Sequence, residues 1–195
     1  MGTQNATRTL PLQHATAATL ADYGVLIAPG AAGDMRTSDF YEQSVQLWTP
    51  GRFVSDADTT LSVARVHPRH NEVIWMERHF QHTQCFIPLG GRPFAVVVGA
   101  PTTSHAPDPS TVRAFRFDGS AGFMMHIGTW HEFPFALDAD VDVLVILRKE
   151  TNRNLQRREN DEAIGADLEK LNLRLRLGHT FSFLSTTDQT HTGVA

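Results

Sequence analysis

Between Phe40 and Arg148 the chain repeats one pattern, in which short apolar runs follow each other about every ten residues. Clusters of Pro, Gly and Asp separate these runs. Regular short runs with turn residues between them are typical of β-sandwiches and β-barrels. The pattern therefore predicts a mainly β fold, with strands over residues 60–66, 73–76, 84–88, 94–99, 111–117 and 141–148.

The two ends of the chain differ from this central region. A short helix is predicted over residues 15–23, followed by a strand from Val25, and residues 29–38 read as a loop. An amphipathic helix is predicted over 155–171 and a one-faced strand over 171–177. Residues 1–150 are expected to form the catalytic domain. Residues 151–195 are expected to pack on it or on a dimer partner, with disorder in the first nine residues and after about residue 184.

Composition limits the classes of partner. The chain of 195 residues fits one domain, which would bury roughly 70% of its unfolded surface. A net charge of -4 argues against nucleic-acid binding. No apolar stretch approaches the roughly 18 residues of a membrane span, and no secretory leader is evident. The single cysteine, Cys85, is compatible with a reducing compartment. A cytoplasmic protein that binds neither membranes nor nucleic acid is expected.

Two motifs about fifty residues apart carry the chemistry. The first, ERHFQHTQCFIPLGG, runs from Glu77 to Gly91, and the second, HIGTWHEFPF, runs from His126 to Phe135. Each combines histidine and carboxylate with glycine at turn positions. Their order and spacing resemble the two half-motifs of a cupin, a double-stranded β-helix or jelly-roll barrel in which both segments meet at one interior site.

The cupin frame places Glu77, His79, Gln84 and His131 in one cage. Residues 77 and 79 are two apart on an extended strand and so share a face. Two imidazoles and a carboxylate suit a divalent transition metal such as Mn, Fe or Ni. The alternative is that these groups hydrogen-bond one another and hold no metal. His82 fits no position of the frame and is expected to be a surface or turn residue.

Two arginines are candidate anchors for a substrate carboxylate, because a guanidinium donates two parallel hydrogen bonds. Period-two counting places Arg65 on one strand face with Leu61 and Val63, and Arg113 on one face with two phenylalanines. Both are predicted to point into the barrel. The alternative for each is a structural ion pair or a position at the barrel end.

Three further side chains flank the predicted site. His126 and Glu132 could serve as acid and base, although Glu132 could instead cap a turn. Trp130 is expected in the core or the pocket wall, where it could contact substrate. Cys85 is expected to be an inert buried thiol.

The region from Leu61 to Arg148 resembles the ureidoglycolate lyase family. The resemblance rests on ERHxxxTQxFIPL, FAVVV, PSTVRAF and HxGTWH. It implies a cupin fold, a homodimer and release of urea and glyoxylate from ureidoglycolate. The site that it implies comprises Arg65, Glu77, His79, Gln84, Arg113, His126 and His131.

Three departures from the family pattern affect the expected substrate. Phe40 and Glu42 stand where the family usually has a basic pair, and Glu132 replaces a second histidine. The segment after Glu150 is longer than the usual family ending. The substrate could therefore be another N-substituted 2-hydroxy acid.

Three functions are compatible with this sequence. The leading one is a carbon–nitrogen lyase that eliminates urea, or a related amine or amide, from a 2-hydroxy acid. The second is a metal-dependent oxygenase, isomerase or decarboxylase acting on a small carboxylic acid. The third is a non-catalytic cupin that binds a small acid.

Overall fold

A computed structural model of the chain describes residues 6–37 and 39–184. Strands predominate there, which confirms the predicted mainly β class. The strands are β1 (Ala6–Leu10), β2 (Leu12–His14), β3 (Gly24–Ile27), β4 (Met35–Thr37), β5 (Gln46–Trp48), β6 (Thr59–Val66), β7 (Glu72–Val73), β8 (Trp75–His79), β9 (Gln84–Leu89), β10 (Phe94–Gly99), β11 (Arg113–Phe117), β12 (Gly122–Met125), β13 (Trp130–His131), β14 (Phe135–Ala136), β15 (Val141–Arg148), β16 (Ala163–Ile164), β17 (Leu168–Asn172) and β18 (His179–Phe183). The helices are α1 (Ala17–Leu20), α2 (Thr151–Leu155) and α3 (Leu173–Leu177), with a 3₁₀ turn over Asp39–Tyr41.

Two sheets face each other across the main core. One has the strand order β3-β12-β9-β15-β6, and the other has the order β16-β17-β8-β13-β10-β11-β2, with β14 also paired to β10. Phe86 and Phe123 of the first sheet pack with Phe94 and Phe115 of the second. This is the cupin-type barrel that the two motifs predicted.

The larger sheet is buried on its outer face as well. The three-stranded sheet β1-β18-β7 packs there over a second core that includes Val97, Trp130, Leu171 and Phe181. β1 pairs in parallel with β18, so residues 6–9, predicted to be frayed, form part of a strand instead. The other residues predicted to be disordered, 1–5 and 185–195, lie outside the described part.

The structure corrects several local predictions before residue 150. The predicted helix over 15–23 is only the four residues of α1, begun by a Thr16 cap. The predicted loop over 29–38 contains β4, which forms a hairpin with β5. β12 was not predicted. It pairs with β3, where a side chain at Gly24 would collide with the backbone of Met124.

The predicted helix over 155–171 is wrong. Most of this segment is irregular, and its end is β17, which adds to the larger sheet beside β8. The charges that suggested a solvated helix face are paired across strands instead: Glu169 with Arg78, and Lys170 with Glu77. Both faces of β17 are covered, so its sequence lacks the alternation of a half-exposed strand.

The predicted strand over 171–177 is also wrong, because the chain turns into α3 after Asn172. The Asn172 side chain accepts a hydrogen bond from the Arg174 backbone, and Gly178 ends the helix with a φ of 71°. Leu173 is buried, whereas Leu175 is exposed. Among the described helices, none has the length and apolar character that crossing a membrane requires.

Candidate active site

The two sequence motifs meet inside the barrel. Glu77 and His79 share one face of β8, and His131 on β13 lies directly opposite Glu77. Glu77 Oε1 is 3.4 Å from His131 Nε2 and 3.8 Å from His79 Nε2. The backbone N–H of Gly128 donates to the carbonyl of His79, which ties the second motif to the first. All three side chains are buried.

Gln84 reaches the same interior from the opposite sheet. It begins β9 and shares its strand face with Phe86, whose ring lies 6.1 Å from that of His131. Its side chain is buried, and its Oε1 atom has no hydrogen-bond partner among the described residues. The frame predicted from the sequence thus brings Glu77, His79, Gln84 and His131 into one interior region.

Lys170 completes this cluster and was missed in the sequence. It lies opposite Glu77 on β17, on the side away from His131, with Nζ 3.0 Å from Glu77 Oε2. Burial by itself raises the pKa of Glu77, but Lys170 and His131 outweigh that effect and hold the pKa well below its usual value. Glu77 is therefore an ionised carboxylate at neutral pH.

A second buried pair lies behind His79. His82 Nδ1 is 2.8 Å from Asp167 Oδ2, and the centre of the His82 ring lies 4.4 Å from that of the His79 ring, with the two rings tilted by 33°. Asp167 also accepts the backbone N–H groups of Phe80 and Gln81, which fixes the turn after β8. His82 was predicted on the surface. It is buried because Asp167, distant in sequence, supplies its partner.

The donor set fits a divalent transition metal. One ligand atom from each of Glu77, His79 and His131 lies within 4.8 Å of the others. Both ring nitrogens of His79 and Nε2 of His131 are buried without a hydrogen-bond partner among the described residues, and an unpartnered buried donor set is what a ligand would satisfy. Burial, together with His131, lowers the pKa of His79 to about 3, so its imidazole is the neutral form that binds metals.

A surface pocket of about 240 Å³ opens beside this cluster. Lys170 and Trp75, which share the interior face of the sheet with Glu77, form part of its wall. Leu155 and Ala163 add apolar surface, and the ion pair of Arg158 with Asp161 closes another side. Lys170, whose side chain is 25% exposed, lies between the buried cluster and the pocket.

The family model for ureidoglycolate lyase matches residues 7–167. The chain belongs to the ureidoglycolate lyase family. It is 38% identical over 98 residues to the ureidoglycolate lyase of Azotobacter vinelandii, covering 50% of this chain and 58% of that protein. It is 43% identical over 79 residues to that of Stutzerimonas stutzeri, covering 40% and 45%. The chain thus matches only about half the length of these curated relatives.

Among solved structures, a dTDP sugar isomerase from Desulfovibrio desulfuricans G20 is similar at a TM-score of 0.34 and 17% identity. The match covers 58% of this chain and 72% of that one. At this TM-score and identity, the similarity carries no information about the functional site of this chain.

Neither arginine that the family resemblance implied lies in the cluster. Period-two counting correctly grouped Leu61, Val63 and Arg65, but their shared face is the outer one. The Arg65 side chain is 64% exposed and forms a two-pronged pair with Asp142. Arg113 donates to the carbonyls of Ser110 and Val112 beside its own strand, which matches the barrel-end alternative.

Two other candidates are also displaced from the cluster. His126 is exposed, with Nε2 3.3 Å from the carbonyl of Ala21, because it precedes the turn that carries Gly128. Trp130 is fully buried in the second core, because its neighbour His131 takes the interior face of β13. There it packs against Arg78. Neither side chain hydrogen-bonds Glu77, His79 or His131 in the described part of the chain.

Glu132 lies nearer the site. Its carboxylate is mostly buried, accepts the backbone N–H of Phe133, and is 3.7 Å from Arg69. Burial raises its pKa, although Lys170 pulls in the opposite direction. Phe40 and Glu42, which were expected near the pocket, lie instead on the exposed surface around the turn between β4 and β5.

Cys85 behaves as the sequence predicted. It is buried, and burial raises the pKa of its thiol to about 12. A thiol with that pKa is not a nucleophile at neutral pH.

Proposed function

We propose that the protein is a carbon–nitrogen lyase of the ureidoglycolate type. It eliminates urea, or a related amine or amide, from a 2-hydroxy acid and leaves glyoxylate or a related 2-oxo acid. The observation that carries this proposal is the buried cluster of Glu77, His79 and His131 in a chain of this family. The names of the partly matched relatives support the same substrate class.

The proposed elimination needs two proton transfers. The substrate hydroxyl loses its proton as its C–O bond becomes a C=O bond. The C–N bond breaks with its electron pair going to nitrogen, which then takes up a proton. A positioned acid and base typically contribute about 10²- to 10⁴-fold each to such steps.

The structure offers groups for both transfers. The unpartnered Nε2 atom of His131 can accept the hydroxyl proton, because Nδ1 of the same ring donates to the carbonyl of Thr129. Glu132, whose pKa burial raises, is the candidate acid for the leaving nitrogen. Glu77 suits the base role less well, because Lys170 and His131 stabilise its carboxylate form.

A divalent metal is the alternative occupant of the same residues, and with it bound the histidine nitrogens would be ligands rather than bases. Glu77, His79, Gln84 and His131 would hold it, and a bound ion supplies Lewis-acid polarisation of a substrate oxygen. Mn, Fe or Ni is proposed on the mixed nitrogen and oxygen donors.

The direct test supplies racemic ureidoglycolate to the purified protein and quantifies glyoxylate and urea. We expect release well above the spontaneous rate and its loss in His131→Ala. His14→Ala is the matched control, because that side chain is exposed on β2. Equal release by the protein and a buffer blank, at high protein concentration, rejects this substrate.

A homodimer in the cytoplasm is also part of the proposal. The apolar side chains of Leu61 and Val63 are 68% and 64% exposed on the outer face of β6, as a subunit interface would require. A single cysteine, with no disulfide to form within one chain, is compatible with a reducing compartment.

A further inference from the structure

Lys170 is unusual in both its identity and its position. The chain has two lysines, Lys149 and Lys170, against a total of 17 Lys and Arg residues. Lys149 is exposed, whereas Lys170 lies on the interior face of the barrel sheet, directly opposite Glu77. It also follows the last residue of the family match, which ends at residue 167. This cation is therefore supplied by a part of the chain that the family model does not cover.

The position of Lys170 joins the buried cluster to the open pocket. Glu77, His79 and His131 are each almost fully inaccessible. Lys170 touches Glu77 at 3.0 Å and is still 25% exposed on the pocket wall. Lys170 therefore contacts the buried cluster and also lines the pocket, whose wall includes none of Glu77, His79 and His131.

The ammonium group has hydrogen-bonding capacity left for such a ligand. A lysine carries three N–H donors, and Glu77 is its one recorded partner among the described residues. The 3.0 Å ion pair with Glu77 favours the charged ammonium form. A flexible ammonium can turn its remaining donors toward an incoming anion.

The two arginines that were expected to anchor a carboxylate are occupied elsewhere. Arg65 is paired with Asp142 on the outer face, and Arg113 is bonded to backbone carbonyls at the barrel end. Arg69 donates to the carbonyls of Phe133 and Pro134. Within residues 6–37 and 39–184, Lys170 is the lysine or arginine that both contacts Glu77 and lines the pocket. Arg158, the other cation of the pocket wall, is paired with Asp161.

We propose that Lys170 is a substrate-binding residue, which holds the carboxylate of a small 2-hydroxy acid in the pocket beside Trp75 and next to Glu77. The proposal rests on the proposed lyase function for its substrate class. The carboxylate anchor is thus placed in the segment after residue 167, and not at Arg65 or Arg113 as the sequence predicted. The carboxylate would lie at the pocket wall, beside the ion pair of Lys170 with Glu77.

The test measures binding rather than turnover. Oxamate, the monoamide of oxalic acid, serves as the probe because it carries a carboxylate beside a carbonyl group. Its affinity is measured by calorimetry. Charge-assisted hydrogen bonds contribute enough that Lys170→Met should weaken oxamate binding roughly 10- to 100-fold. Lys149→Met is the matched control and should bind oxamate as the unmodified protein does.

A second pair of variants removes the question of folding. Lys170→Met leaves Glu77 without its partner, so the comparison is repeated in Glu77→Gln, where no buried carboxylate needs compensation. Glu77→Gln should bind oxamate, and Glu77→Gln/Lys170→Met should bind it roughly 10- to 100-fold more weakly. Equal affinity in these two proteins overturns the proposal, as does an unmodified protein that does not bind oxamate.

The outcome is separable from that of the lyase assay. Loss of oxamate binding in the Lys170 variants supports the anchor even if ureidoglycolate is not cleaved. Cleavage of ureidoglycolate with unchanged oxamate affinity in those variants leaves the lyase function standing and rejects the anchor. As an internal check, oxamate should slow chemical acetylation of Lys170, measured by mass spectrometry, without slowing that of Lys149.

Discussion

Glu77 and Lys170 lie opposite each other on the antiparallel strands β8 and β17, with their charged atoms 3.0 Å apart. One belongs to the first histidine motif and the other to a segment beyond the family match. The Glu77 side chain is only 4% exposed, so its charge depends on protein groups rather than water for compensation. The C-terminal segment is therefore part of the electrostatics of the site.

This pair predicts a non-additive effect on stability. Lys170→Met leaves a buried carboxylate uncompensated and should lower the free energy of unfolding by about 3 kcal/mol. Glu77→Gln/Lys170→Met removes both charges and should recover most of that loss. Urea denaturation of the two single variants and the double variant measures the coupling. Additive effects would show that the two groups do not depend on each other.

Metal binding provides a separate prediction. We expect the purified protein to retain a stoichiometric divalent metal, because His79 and His131 present unpartnered nitrogens beside Glu77. Elemental analysis should find that metal absent from a His79→Ala/His131→Ala double variant. His14→Ala should retain it. Metal at equal occupancy in the double variant would place the ion elsewhere.

The spacing and strand periodicity that predicted the cluster are local properties of the sequence. Glu77 and His79 share a face because they are two residues apart on a strand. The position of Gly128 in the second motif indicated that His131 would face the same interior. The same counting grouped Leu61, Val63 and Arg65 but could not tell the inner face from the outer. An apolar face is read as interior by default, and here it is exposed.

The misses have a different origin, because they depend on partners distant in the chain. Glu169 and Lys170 fall in the segment 155–171, whose many charges and sparse apolar positions predict an amphipathic helix. Their partners, Arg78 and Glu77, lie on β8 and neutralise both charges. His82 was read as exposed for the same reason, since nothing near it in sequence indicates Asp167.

Arg65 should be dispensable for ligand binding. Its guanidinium faces solvent and is already engaged by Asp142. We expect Arg65→Met to bind oxamate as the unmodified protein does and to cleave ureidoglycolate at the same rate. Calorimetry and the glyoxylate assay, run beside Lys170→Met, check both points. Weaker oxamate binding by Arg65→Met would instead indicate that Arg65 binds the carboxylate, as the family resemblance implied.

Acid should weaken the attachment of the C-terminal segment. Glu162 accepts hydrogen bonds from Arg176 and from the Asn172 backbone, and the Arg176 bond lowers its pKa below the ordinary 4.5. Its contribution to stability is complete above pH 4.5 and is lost as the pH falls through the lower folded value. Between about pH 6 and about pH 3 the free energy of unfolding should therefore fall less in Glu162→Gln than in the unmodified protein. This range spans both the ordinary and the lowered pKa of Glu162. Parallel curves for the two proteins would contradict this account.

The outer face of β6 should be the subunit interface of the proposed homodimer. Leu61 and Val63 are widely exposed there, and Leu144 and Ile146 on β15 extend the same apolar face, because they lie opposite Val63 and Leu61 in register. Placing a carboxylate at each exposed position, in Leu61→Glu/Val63→Glu, should make association unfavourable, since two copies would bury four unpaired charges. Light scattering should then report the mass of one chain, against twice that mass for the unmodified protein. Ile164→Glu is the matched control, because Ile164 is 62% exposed on β16, away from this face, and should leave the dimer intact. A dimer that persists in Leu61→Glu/Val63→Glu and dissociates in Ile164→Glu would move the interface to the C-terminal segment.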